Sequence, residues 1–240
     1  MERILIGCSG WFYMHWSGVF YPKDMPTREW FKYYSSNFDT VELNSTFYSF
    51  PNQKRSYDWY KSSPQGFGYS IKMNREITHL KRLLDVEKEV QRFREAIEPL
   101  KEKLVSILVQ LPPSFRYTEE NVKRVTGVMM DDKKMFVEFR HPSWYTDQAL
   151  KDIEKKEIKM VTVSMKGLPF RLPEGGDVYI RMHGDVNGYA TDYSEERLNE
   201  LGKNIVQGNY HSVYVYFNND YHGYAPKNAL FLKSIVEDFL

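Results

Sequence analysis

Apolar and polar residues alternate along Asp39–Asn44, the middle of FDTVELNSTFY. Val41 and Leu43 share one face, and Thr40, Glu42 and Asn44 the other. The alternation predicts a short strand. It is either an antiparallel strand with its polar face in water, or one that points Glu42 into a closed core, where a carboxylate must be paired or used. The rest of the pattern decides. Apolar stretches at Arg3–Cys8, Gly68–Met73, Leu104–Leu111, Lys134–Phe139, Ile158–Val163, Asp177–Met182 and Ser212–Phe217 predict seven more strands.

Helical spacing fills most of the gaps. Thr27 can cap a helix over Arg28–Ser36, and Gln53–Ser62 reads as another, stopped near Pro64. Val86, Val90, Phe93, Ile97 and Leu100 predict a long helix within 85–103, weakened or ended at Pro99. Thr118 caps a helix with Val122, Val125 and Met129 inward, and Thr146 opens one that runs to about Lys156. Ser194 precedes Leu198, Leu201 and Ile205. Pro226 suits the first turn of a last helix burying Leu232, Ile235, Val236 and Phe239. Eight strands separated by helices, at about 30 residues per unit, predict a single (β/α)8 TIM barrel over residues 1–240. One βα unit, around 164–177, carries too many Gly and Pro for a full helix. An open doubly wound sheet is the alternative.

The same alternation assigns inward faces. The apolar partners, such as Ile4, Ile6, Val105, Ile107, Val213 and Val215, face the helices. The inward set includes Ser9; Thr40, Glu42 and Asn44; Ser70, Lys72 and Asn74; Ser106 and Gln110; Glu138 and Arg140; Thr162 and Ser164; Arg181 and His183; Tyr216 and Asn218. Its polar members cluster toward the C-terminal strand ends, where barrel enzymes place their sites. A structural ion network, with Glu42 paired to Lys72, would also explain them. Such a network adds little stability, because desolvation rivals the Coulomb gain, so a polar ligand site explains the charges better.

Composition narrows the partners. Net charge is +1, which exerts no general pull on nucleic acid or an anionic membrane. No apolar run reaches about 18 residues, and the N-terminus has no secretory core. The lone Cys8 excludes an internal disulfide, fits a reducing compartment and lies on the outward face, away from nucleophilic chemistry. A cytoplasmic protein without membrane, cofactor or metal is expected. Glu42, Glu138 and His183 could ligate a metal, but three neighbouring cations oppose it. GDVNG at 184–188 lacks the spacing of a phosphate loop. Aromatics make up 16% of the chain and gather after strands one, two, five and eight, as Trp11, Phe12, Tyr13, Trp16, Phe47, Tyr48, Trp144, Tyr145, Tyr221 and Tyr224. They form either a lid packed on itself or a wall that stacks on a sugar or base.

Together IGCSGWFYMHWSGVFYP, FDTVELNSTFY, YSIKMNREITH, LVQLPPSF, VEFRHPSW, YIRMHG, and VYVYFNND followed by GYAPKNA resemble the YecE-like family, TIM-barrel proteins of unknown function. The motifs span nearly the whole chain. The resemblance implies the fold; a link to sugar-isomerase-like barrels is fold analogy alone. Cys8 stands where relatives usually carry Thr.

The expected function is an enzyme acting by acid–base chemistry on a small polar, anionic or sugar-like substrate, as an isomerase, lyase or hydrolase. Glu42, Lys72, Glu138 and His183 are the candidate catalytic groups. Arg140 and Arg181 would clamp a carboxylate or phosphate, oriented by Asn44, Asn74 and Asn218 and walled by Trp11 and Trp144. The alternative is a non-catalytic binder of a nucleotide, sugar phosphate or nucleic-acid end, with nucleic acid the weaker partner.

Overall fold

The computed structural model describes residues 3–129, 132–185 and 187–239. Strands are β1 (Arg3–Cys8), β2 (Thr40–Leu43), β3 (Gly68–Lys72), β4 (Leu104–Gln110), β5 (Met135–Glu138), β6 (Thr162–Met165), β7 (Gly175–Gly184) and β8 (Asn209–Phe217). Helices are α1 (Trp30–Asn37), α2 (Ser45–Tyr48), α3 (Gln53–Ser62), α4 (Glu87–Ile97), α5 (Glu119–Met129), α6 (Asp147–Lys155), α7 (Glu195–Gln207) and α8 (Tyr224–Phe239). The strands run in the order β5-β4-β3-β2-β1-β8-β7-β6. Every strand pairing described is parallel. This is the order and alternation of a (β/α)8, TIM-barrel-like fold. Between β6 and β7 no helix forms, as the Gly- and Pro-rich segment predicts.

The chain divides into two compact units, Met1–Glu42 with Thr162–Leu240, and Leu43–Val161. In the first, Val213 and Val215 of β8 pair with Ile4 and Ile6 of β1, keeping the apolar face in register. Tyr34 of α1 accepts from the Cys8 amide and donates to the Thr40 carbonyl, both at 2.9 Å, so one buried hydroxyl ties a helix to two strands. Gly7 is required here, because a Cβ would stand 2.3 Å from the Thr40 carbonyl oxygen. Cys8 is fully buried beside it, and burial raises its thiol pKa well above normal, which makes it inert packing.

In the second unit, Ile107 of β4 pairs with Ile71 and Met135, and the stripe Val90, Phe93, Ile97 of α4 is buried. Pro99 falls where α4 gives way to a 3-10 stretch, Glu98–Lys103, with Lys101 at φ 50°. Val105, Ile107 and Val109 are buried on one face of β4, and Ser106, Leu108 and Gln110 on the other, so both faces of the strand are covered.

Several expectations are corrected. The sixth strand begins at Thr162, not Ile158: Glu157 turns left-handed at φ 52° and the Ile158 amide closes α6 onto Ile153. Residues 158–161 then make only one isolated bridge, Val137 to Met160. Thr27 does not cap; it lies inside a 3-10 turn, Thr27–Glu29, entered from Pro26. Phe239 is about half exposed rather than buried. Short elements without a counterpart in the sequence pattern include α2 and a π-helical turn at Glu76–Leu80.

Candidate functional site

In the first unit a fully buried carboxylate organises the C-terminal ends of β2 and β7. Glu42 accepts from Arg181 Nη2 at 2.7 Å and Nε at 2.8 Å, from Tyr179 Oη at 2.6 Å and from Ser9 Oγ at 2.7 Å. Alternation puts Tyr179 and Arg181 on one face of β7, and β2 presents Glu42 to both. The fork-to-fork pairing of guanidinium and carboxylate compensates two charges that are 0% exposed. Burial, then the Glu42 charge, raises the Tyr179 pKa well above normal, so the phenol stays a donor.

The network continues outward. Arg181 Nη1 lies 2.9 Å from His183 Nε2, and His183 Nδ1 lies 3.1 Å from the Asn218 amide. A guanidinium can only donate, so His183 Nε2 accepts and its proton sits on Nδ1. The Asn218 atom that faces Nδ1 is Nδ2, so an Nδ1–H would pair with it only if the amide were turned to present its oxygen. Beyond His183 stands the half-exposed ring of Tyr189, edge-on at 5.7 Å. Gly184 follows His183 at φ +97°, where a Cβ would fall 1.7 Å from the Gly188 carbonyl oxygen.

In the second unit Glu138, at the end of β5 and fully buried, accepts from Arg140 Nε at 2.6 Å. Arg140 Nη2 donates to Gln110 Oε1 at 3.0 Å, which links the ends of β4 and β5. Lys72, at the end of β3, sets its ammonium 4.3 Å from the Phe47 ring centroid. His79 meets the same ring edge-on at 4.9 Å. The short α2 that carries Phe47 is fastened to β3 by Thr46 Oγ1, 2.7 Å from the Lys72 carbonyl, and by Asn74 Nδ2, 2.8 Å from the Thr46 carbonyl. Partial burial, then the charges of Lys72, Arg140 and Arg75, lower the His79 pKa to about 4; Glu138 opposes them.

The clusters sort the expected residues. Glu42, Arg181, His183 and Asn218 meet in the first unit; Lys72, Glu138 and Arg140 belong to the second. Asn74 spends its amide locally, with Oδ1 taking the Glu76 amide at 2.9 Å. Asn44, half-buried, keeps a buried Oδ1 without a hydrogen-bond partner among the described residues. Trp11 packs on Phe31 at 4.8 Å and stays partly exposed. Trp144 offers no open stacking face: it is 0% exposed, stacked on Phe139 at 3.8 Å and donating to the Phe115 carbonyl at 2.7 Å. Trp16, Tyr21 and Trp30 are likewise buried against one another, whereas Phe12, Tyr48 and Tyr221 remain exposed. GDVNG contains Val186, which lies outside the described residues.

His79 and, in the first unit, Asp220 with His15 escaped the sequence reading. Asp220 accepts from Trp16 Nε1 at 2.6 Å and pairs with His15 Nε2 at 3.0 Å, and burial raises its pKa. The packed order of FNND after β8 could have pointed to Asp220, but nothing in the spacing announces its contact with His15. Among the described residues no group of three or more His, Cys, Asp or Glu side chains could hold a metal ion. No described helix is long and apolar enough to cross a membrane.

Similarity to known proteins extends over the whole chain. A protein of Bacillus subtilis (strain 168), "UPF0759 protein YunF", is 26% identical over 262 residues, covering 94% of this chain and 92% of that protein. The crystal structure of a DUF72 family protein from Thermotoga maritima MSB8 superposes with a TM-score of 0.82 at 28% identity, covering 98% of this chain and 100% of the other. A DUF72 family protein from Enterococcus faecalis V583 shares the fold at TM-score 0.81 and 23% identity, covering 98% and 96%. The family model described as "Protein of unknown function DUF72" matches residues 5–239, so the chain belongs to the DUF72 family.

Proposed function

We propose that this chain is an enzyme acting by acid–base chemistry on a small anionic or sugar-like substrate, whose charged part is held by the second-unit cluster. The observation that carries this reading is that the Lys72 ammonium and the His79 imidazole both contact the Phe47 ring, while Arg140 binds the buried Glu138 and Gln110 at the ends of β5 and β4; the charges of Lys72, Arg140, Arg75 and Glu138 all act on His79. Like charges are brought together at a cost that an oxyanion relieves. Arg140 and Lys72 hold the anion and Glu138 accepts a proton. In the first unit Glu42 is a positioning group: four hydrogen bonds take up its oxygens, and they orient Arg181 and, through it, His183. The narrower likeness to YecE-like proteins rests on the quoted motifs.

Turnover separates an enzyme from a binder of a nucleotide, sugar phosphate or nucleic-acid end. Protein incubated with a metabolite extract and followed by mass spectrometry should deplete an anionic metabolite. Glu138→Gln should retain that compound without consuming it. Retention without consumption by the wild type would make the protein a binder, and neither retention nor consumption would remove the anion site.

A further inference from the structure

Granted an anion at the second-unit cluster, as proposed above, His79 bears on which anion it is. His79 sits on the π-helical turn Glu76–Leu80 that follows β3, a wide-turned geometry that recurs at functional sites. Its Nδ1 lies 2.9 Å from Thr78 Oγ1. Its Nε2 has no hydrogen-bond partner among the described residues. The His79 imidazole at 4.9 Å and the Lys72 ammonium at 4.3 Å both contact the Phe47 ring, and the Lys72 charge acts on His79. The charged groups acting on His79 are Lys72 from β3, Arg75 from the segment after it, and Glu138 and Arg140 from β5 and the turn beyond.

Charge balance discriminates among ligands. Lys72 and Arg140 are positive and Glu138 negative, which leaves +1 with a neutral imidazole and +2 with an imidazolium. Arg75 is exposed, and its charge is shared with water. A carboxylate monoanion matches the first state and a phosphate-class dianion the second. We infer that the cluster takes a tetrahedral dianion, such as a phosphate monoester, and that His79 gains a proton from solvent as the anion binds and donates it from Nε2 to a ligand oxygen. The step makes and breaks no bond but N–H: the proton leaves a buffer acid and ends on the imidazole, whose Nδ1–H then faces Thr78 Oγ1. Without the anion, His79 is neutral at pH 7, in keeping with its pKa of about 4.

Sulfate is the diagnostic probe, because it is a dianion that cannot itself take up a proton near neutrality. Calorimetric titration of sulfate at pH 6.5, in two buffers of different protonation heat, should show about one proton taken up per sulfate by wild-type protein. His79→Gln should lose that uptake and bind sulfate about tenfold more weakly. Acetate should bind with no uptake, and phenyl phosphate at pH 8 should behave as sulfate does. Sulfate bound equally by both proteins with no proton uptake would overturn the role of His79 and leave the anion site standing. If sulfate, phenyl phosphate and acetate all fail to bind, the anion site itself is wrong. The two-buffer comparison on wild type decides the matter even if His79→Gln folds poorly.

Discussion

Arg181 shows how far a residue's type foretells its job. Its charge on the inward face of a strand predicts an anion clamp, yet its donors go to Glu42 and His183, and it is 0% exposed. A lysine could replace at most part of that planar fork. Arg181→Lys is therefore expected to lower unfolding free energy by about 3 kcal/mol, read from urea melts, because it leaves Glu42 under-paired in a dry site. Sulfate affinity should not change, since the anion is assigned elsewhere. Unchanged stability would mean that the Glu42 network is not structural. His79 makes the opposite kind of residue-scale prediction. Its folded pKa of about 4 lies below the ordinary value near 6.5, so the unfolded chain binds more protons between those limits. Stability from this group rises with pH across that window and is lost as pH falls toward 4. His79→Gln should flatten the slope of unfolding free energy against pH between about 4 and 6.5. An unaltered slope would place the imidazole in a more solvated setting. Glu42 and Arg181 were legible because a charge on an alternating strand is conspicuous. His79 was not, because EITHL has no period of its own and forms a π-turn that no local pattern announces.

At the scale of elements, the long periodic stretches read well, and the failures share a cause. β1 and α3 begin and end where the pattern puts them, and α7 is capped by Ser194 through the Arg197 amide. The sixth strand was misplaced because Ile158–Val161 is as apolar as a strand; only the left-handed Glu157 and the position of β7 decide where pairing starts. Short elements such as α2 exist through contacts with β3, which no local pattern encodes. Element ends carry a further prediction. Lys103, only 7% exposed, directs its ammonium to the Tyr60 carbonyl at 2.7 Å and to the Ser63 carbonyl and hydroxyl at 2.8 Å, closing the C-terminal end of α3. A cation there also complements the negative end of the helix dipole. Lys103→Met keeps the stem and strands these acceptors, and should cost about 2 kcal/mol in a denaturant titration. Hydrogen exchange should quicken first in α3. Uniform quickening across the second unit would show instead that Lys103 supports the core as a whole.

For the molecule as a whole, the relevant contrast is between a near-neutral chain and charged clusters held at strand ends. A net charge of +1 attracts anions weakly at long range, so any strong response must be local. Lys72 is 9% exposed and the Arg140 side chain 16%, with low-dielectric neighbours such as Phe47. Charges so placed are screened less by salt than surface ones. The fold itself was legible because eight alternating units admit few topologies. Its chemistry was less so, because carboxylates and cations on neighbouring strands can pair for structure or for a ligand, and alternation treats both alike. A thermal-shift series separates them. Sulfate at about a hundredfold its dissociation constant should stabilise the protein by about 2.7 kcal/mol, a rise of roughly 5–10 °C for a chain of this size. Raising sodium chloride from about 0.05 to 0.5 M should reduce that rise without abolishing it, since the Debye length shortens while the cluster stays half-desolvated. Arg140→Lys should shrink the sulfate rise at both salt levels, because an ammonium cannot keep Glu138 and Gln110 and still present a planar fork. A rise that vanishes at high salt, or is equal in Arg140→Lys, would describe diffuse surface binding and leave Arg140 as a structural partner of Glu138.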